Sequence, residues 1–161
     1  PVVEVPVSDY DRTAMIQDLV TTSARTTPEA IALEDANGTI TYGELDARSD
    51  AAAAMIQARV QGQGNRIAVC LPRGIDLVVA LLAVLKSGHA YVPMDPSQPQ
   101  SRLRTIAQTA RIGAVIGDDT MPFLSAPKLD LADSVMGAVP VAGWAIGVRS
   151  AGECKPNCSK K

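Results

Sequence analysis

From residue 42 to residue 117 the apolar pattern switches repeatedly between a helical and an extended period, and this alternation restricts the fold more than any other feature. Leu45, Ala52, Ile56 and Val60 share one helical face, and Gly62 and Gly64 follow as a stop. Arg66 to Leu71 is an apolar, β-branched run bounded by Asn65 and Pro72, as in a strand covered on both faces. Ile75 to Lys86 is too long for a strand and predicts a largely buried helix, with Asp76 near its positive end and Lys86 near its negative end. Gly88 is placed for a left-handed C-terminal turn. Ala90 to Met94 predicts a short strand, Asp95 to Pro99 a turn, and Leu103, Ile106, Ala107 and Ala110 stripe a further helix. Gly113 to Ile116 predicts another strand, ended by Gly117-Asp118-Asp119. Helices alternating with strands through short loops imply parallel strands joined by right-handed crossovers, so the expected class is α/β with a partly parallel sheet.

A hairpin is expected ahead of this unit. Met15, Ile16, Leu19 and Val20 recur at helical spacing and predict an amphipathic helix over residues 13–24, interrupted by Thr26-Thr27-Pro28. Ala30 to Glu34 reads as a strand, Asn37-Gly38 as a turn with positive φ, and Thr39-Ile40-Thr41 as the returning strand. Thr41 and Glu44 have capping-box spacing at the start of the next helix. Past Asp119 the pattern fades, and the chain ends in a polar stretch, Gly152 to Lys161, expected to be disordered. The expected organisation is an extension over 1–12, an α/β core over 13–119 and an irregular tail over 120–161.

Charge and composition exclude several classes. A formal charge of −2 does not supply the clustered cations that a nucleic-acid surface needs. The longest apolar run, Leu77 to Leu85, is far short of the roughly 20 residues of a membrane span. Pro1 to Thr13 has neither a basic start nor an apolar stretch, so no secretory signal is expected there. The cysteines, Cys70, Cys154 and Cys158, are odd in number, which suits a reducing, cytoplasmic setting. Cys154 and Cys158 are too few for a zinc site, and His89 is the single histidine.

Two segments carry a specific resemblance. Leu85-Lys86-Ser87-Gly88-His89-Ala90-Tyr91-Val92-Pro93-Met94-Asp95-Pro96 resembles the second core motif of amino-acid-adenylating domains of nonribosomal peptide synthetases. Thr41-Tyr42-Gly43-Glu44-Leu45 resembles the first, in the expected order, and Arg66 to Arg73 and Asp76 to Val84 continue the pattern. The resemblance runs from about residue 14 to 119 and implies an incomplete N-terminal subdomain of an adenylating enzyme. It implies a parent reaction in which a carboxylic acid and ATP form an acyl adenylate and pyrophosphate, with Mg²⁺ at the phosphates. The acyl group then passes to phosphopantetheine on a carrier domain. The family's Ser/Thr/Gly-rich phosphate loop is not matched; the nearest candidate is Trp144 to Pro156, with Ser150, Gly152 and Lys155, but it is short and departs from the pattern at Cys154, so the preferred reading of that segment is an unrelated tail.

No catalytic, cofactor-binding or metal-ligating residue is therefore assigned. His89 has no nucleophile or carboxylate placed to make a triad and reads as a structural or exposed residue beside a helix C-terminus. Asp95 reads as a cap of the turn or of the following helix, Glu44 as a helix cap, Asp118-Asp119 as a solvated strand end and Arg73 as a surface residue. The leading expectation is a fragment of an adenylation domain, inactive alone. The alternative is a non-catalytic module that docks to a carrier domain or synthetase partner through exposed sheet edges. A small nucleotide-binding α/β protein ranks third, because no phosphate loop follows any strand.

Overall fold

A computed structural model describes residues 13–62, 65–117 and 127–129. Helix α1 spans Ile16–Thr26, and strands β1 (Ile31–Asp35) and β2 (Gly38–Thr41) form an antiparallel hairpin. Then come α2 (Tyr42–Arg59), β3 (Arg66–Cys70), α3 (Ile75–Lys86), β4 (Ala90–Pro93), α4 (Gln100–Ala110), β5 (Ala114–Gly117) and β6 (Lys128–Leu129). The second sheet has the order β4-β3-β5-β6, and all its pairings are parallel.

The α/β class and the alternation from residue 42 onward are as expected, and the sheet shows why the pattern was readable. β3 lies between β4 and β5, so both its faces must be covered. Ile67 and Val69 point to one side, where they pack with α2 and α3 around Ile56, Ala80, Ala83 and Val84. Ala68 and Cys70 point to the other, against Leu103 and Ala107 of α4 and Met94. Small residues at the first contact, Ala52, Ala53, Ala80 and Ala83, let α2 and α3 lie close to each other and to the sheet. A third apolar cluster joins the hairpin to the helices through Ile40, Leu45, Ile75, Val79 and Leu82.

Helix ends follow the sequence signals closely. Glu44 N–H donates to Thr41 Oγ1 at 3.2 Å, and Thr41 N–H donates to Glu44 Oε2 at 2.9 Å, completing the capping box. At the end of α3, Gly88 takes a φ of 81°, its N–H donates to the Leu85 carbonyl, and the His89 N–H donates to the Val84 carbonyl. That is the Schellman arrangement, in which a left-handed residue satisfies the last free carbonyls.

Three features differ from expectation. The hairpin turn has no left-handed Asn37; among non-glycine residues described, only Arg111 has positive φ. Asn37 N–H instead donates to Asp35 Oδ1 at 2.7 Å, so an aspartate side chain closes the turn and only Gly38, at φ 148°, needs glycine's freedom. The apolar stripe of α1 does not face the core: Val20 packs inward, whereas Met15, Ile16 and Leu19 are 62%, 62% and 44% exposed. Lys128–Leu129, in the stretch without a readable period, adds β6 to the sheet, and Leu129 is buried. A strand of two residues is too short to show a period. Gly64, Asp118-Asp119, the Trp144 to Pro156 segment with Ser150, Gly152 and Lys155, and Cys154 and Cys158 lie outside the described residues.

Candidate functional site

In a doubly wound parallel sheet, ligands bind beyond the carboxyl ends of the strands where the connections diverge. Here β3 leads through α3 to β4 on one side, while β6 lies on the other side of β5. The carboxyl ends of β3 and β5 therefore form the switch point, bordered by Leu71 to Gly74, Met94 to Pro96 and Gly117. The backbones are tight there: a Cβ on Gly117, whose φ is 154°, would stand 2.5 Å from the Cys70 carbonyl oxygen.

The nearest helix N-terminus is that of α3, where unpaired backbone N–H groups could receive an anion. Its N-cap, Gly74, offers no side chain, but Asp35 reaches in from the hairpin and its Oδ2 accepts from Ile75 N–H at 3.0 Å. Hydrogen bonds from Ile75 and Asn37 hold the Asp35 carboxyl below the ordinary carboxylate range. A carboxylate from the hairpin thus caps the first N–H of α3. Sequence analysis passed over Asp35; the signal was a helix opening at Gly-Ile with no capping side chain of its own.

The residues weighed as site candidates separate in space and take structural roles. Asp95 Oδ1 accepts from Ser97 N–H at 2.9 Å and Ser97 Oγ at 2.7 Å, the turn cap expected. Those hydrogen bonds lower its carboxyl, helped by the charge of Arg73, which is exposed on the same rim. Glu44 is engaged in the capping box. His89 is buried at the opposite end of the sheet, just before β4, and its Nδ1 has no hydrogen-bond partner. Among the described residues no three of His, Cys, Asp or Glu gather as a metal ion would require.

Lys86 is held by two carboxylates of α2. Its Nζ lies 2.6 Å from Asp46 Oδ1 and 2.7 Å from Asp50 Oδ1, and its side chain is 9% exposed. Thr21 of α1 donates to the same Asp46 oxygen at 2.8 Å. Partial burial works against the Asp46 carboxylate, but hydrogen bonds from Lys86 and Thr21 outweigh it and lower its pKa. Asp46 and Asp50 are four apart on α2 and so share a face, a spacing that could have announced a cation site. The lysine of the second motif is a clamp joining α1, α2 and α3. The first motif is equally structural: Thr41 and Glu44 cap α2, Gly43 lies against Pro28, and Leu45 is buried.

The topology is that of an α/β subdomain with a parallel sheet, and the residues of both motifs are engaged in helix ends, a turn and ion pairs. Residues 20–158 match the profile of the AMP-binding enzyme family, and the chain belongs to that family. Syringomycin synthase SyrB1 of Pseudomonas syringae pv. syringae is 35% identical over 126 residues, which cover 78% of this chain and 20% of the synthase. Tyrocidine synthase 2 of Brevibacillus parabrevis is 34% identical over 109 residues, covering 68% of this chain and 3% of that protein. In three dimensions the chain resembles VinN in its complex with 3-methylaspartate, at a TM-score of 0.70 and 28% identity over 75% of this chain and 35% of that one. The N-terminal subdomain of Klebsiella oxytoca NpsA shares the fold at a TM-score of 0.69 and 24% identity, over 77% of this chain and 32% of that one. The chain is thus similar to the N-terminal part of the adenylation domains of nonribosomal peptide synthetases, and it spans a fifth or less of these two curated relatives. No helix among the described residues is long and apolar enough to cross a membrane.

Proposed function

We propose that this chain is the N-terminal scaffold of an amino-acid adenylation domain and does not activate an amino acid by itself. The parent reaction joins an amino acid to the α-phosphate of ATP, releases pyrophosphate, and leaves an aminoacyl adenylate for transfer to a phosphopantetheine thiol on a carrier domain. In this reading ATP, Mg²⁺ and the carrier are engaged by parts of a longer synthetase working in the cytoplasm. Residues 13–119, joined by β6, supply the core on which those parts are built.

One observation carries the reading. At the switch point of the sheet the N-terminus of α3 is closed by Asp35, and the residues of both core motifs are engaged in caps, a turn and an ion-paired clamp. At that helix the first N–H is already taken by a protein carboxylate, which weighs against a phosphate being received there. The test is amino-acid-dependent exchange of labelled pyrophosphate into ATP. The isolated chain is expected to give none with any proteinogenic amino acid, and exchange above the no-enzyme blank would overturn the proposal. Docking as a free-standing interaction module is the weaker reading, because the sheet edge at β4 is blunted: Pro93 lacks a backbone N–H.

A further inference from the structure

We propose that α1 is a hinged strap that opens from the body as a unit, with Thr21 and Asp46 as its latch. The chain just after α1 is pinned to the start of α2. Gly43 N–H donates to the Pro28 carbonyl at 3.0 Å, and Tyr42 N–H donates to the Ala30 carbonyl at 3.0 Å. The contact is tight, since a Cβ on Gly43 would stand 3.3 Å from the Pro28 oxygen. Between this anchor and the helix lies Thr27, exposed and non-helical, with a φ of −138° and a ψ of 63°. A non-helical residue at an element's end, next to a fixed anchor, is where a hinge can absorb a rotation.

On the far side of the hinge the hold is slight. No residue of α1 is fully buried. Val20 packs against the cluster that contains Ile40, Leu45 and Val79. Among the described residues, Thr21 is the α1 side chain that hydrogen-bonds another element, its Oγ1 donating to Asp46 Oδ1 at 2.8 Å. An element held by so few contacts opens at a small fraction of the cost of global unfolding. The catch itself does not move with the strap. Lys86 Nζ holds the same Asp46 Oδ1 at 2.6 Å and also donates to the Asp46 carbonyl at 3.3 Å. When Thr21 leaves, Asp46 keeps its ion pair, so opening strands no charge and the latch can close again on a catch already in place. The anchor, Tyr42 and Gly43, lies in the first core motif, and the catch is oriented by Lys86 of the second. The position of α1 is therefore tied to both motifs.

Native-state hydrogen exchange of the whole chain in sub-denaturing urea tests the device. The amides of Val20 to Thr26 should exchange together, through an opening nearly insensitive to urea and at least about 100-fold more frequent than the one that exposes Val79 to Leu85 in α3. Thr21→Val keeps the shape of the side chain and removes its donor. It should lower protection in α1 by about tenfold and leave α3 within about twofold. Thr21→Ser restores the hydroxyl and should recover most of the α1 protection. Exchange of α1 and α3 through one common, urea-dependent opening would overturn the proposal. So would fraying of α1 residue by residue from Ile16, which denies a unit hinged at Thr27. A Thr21→Val variant that left α1 unchanged, or that loosened both helices equally, would remove the latch. Pyrophosphate exchange reports separately on the scaffold reading, which the strap does not require.

Discussion

Helices α1 and α3 are similar in length, with 11 and 12 residues, yet they stand at opposite extremes of integration. α3 buries Ile75, Val79, Ala80, Leu82, Ala83 and Val84, donates its first N–H to Asp35, ends in a Schellman turn, and anchors its last residue in two carboxylates. α1 buries nothing completely and holds to the body through Val20 and the Thr21 hydroxyl. The lesson is that an apolar stripe shows where a helix can be buried, whereas burial itself depends on which surfaces the fold brings opposite it. For α3 that surface is β3 and α2; among the described residues none covers the outer face of α1.

The sharpest break in this comparison is a pair of leucine truncations. Leu82→Ala in α3 should cost about 2–5 kcal/mol, because it removes buried methyl groups and leaves a cavity. Leu19→Ala in α1 should change the isolated chain by no more than about 0.5 kcal/mol. Urea unfolding of both variants measures the contrast, and similar losses would show that α1 is as integrated as α3.

Lys86→Ala ranks next. It strands Asp46 and Asp50 and loosens the contact among three helices, with an expected loss of about 1–3 kcal/mol. Lys86→Met keeps the packed stem and should lose less when combined with Asp46→Asn. A double-mutant cycle on Lys86 and Asp46 reads the coupling directly.

Asp35→Asn should have a smaller effect, seen best as a change in acid sensitivity. The Asp35 and Asp46 carboxyls are both held below their ordinary values in the folded chain. Each therefore contributes stability that is present above the unfolded carboxylate value of about 4 and is lost as pH falls through the lower folded value. Thermal melts should be flat in this respect from neutral pH to about 5 and decline below about 4, and the decline should be shallower in Asp35→Asn. An equally steep acid decline in that variant would mean the helix cap is not one of the linked groups.

The smallest effect is expected at the end of α4. Arg111 holds a left-handed φ of 50° in the position glycine usually takes, and its N–H donates to the Gln108 carbonyl. Arg111→Gly should be neutral within about 1 kcal/mol, since relief of backbone strain is offset by greater freedom in the unfolded chain. A larger loss would point to a role for the arginine side chain.

The core was largely legible because its signals are local or periodic. The buried run at β3, the length of α3, the Thr41–Glu44 box and the Gly88 turn each lie within a dozen residues, and each is present in the structure as read. The structural roles of Asp95 and Glu44 were legible for the same reason, since each bonds a partner two or three residues away. Asp35 and the Lys86 clamp were not, because their partners lie 40 and 36–40 residues distant. β6 escaped because two residues carry no period, and the orphaned Nδ1 of His89 escaped because burial of one ring atom depends on every neighbour at once.

What the sequence determined by itself was the order and type of the elements from residue 42 to 117, the two motifs and hence the family, and the caps set by near neighbours; these follow from backbone sterics, side-chain reach and hydrophobic period. The tertiary structure alone decided that a hairpin aspartate closes the N-terminus of α3, that the motif lysine is a clamp rather than a free cation, and that the stripe on α1 turns outward. Those outcomes rest on surfaces brought together from distant parts of the chain, and no local pattern encodes which surfaces will meet.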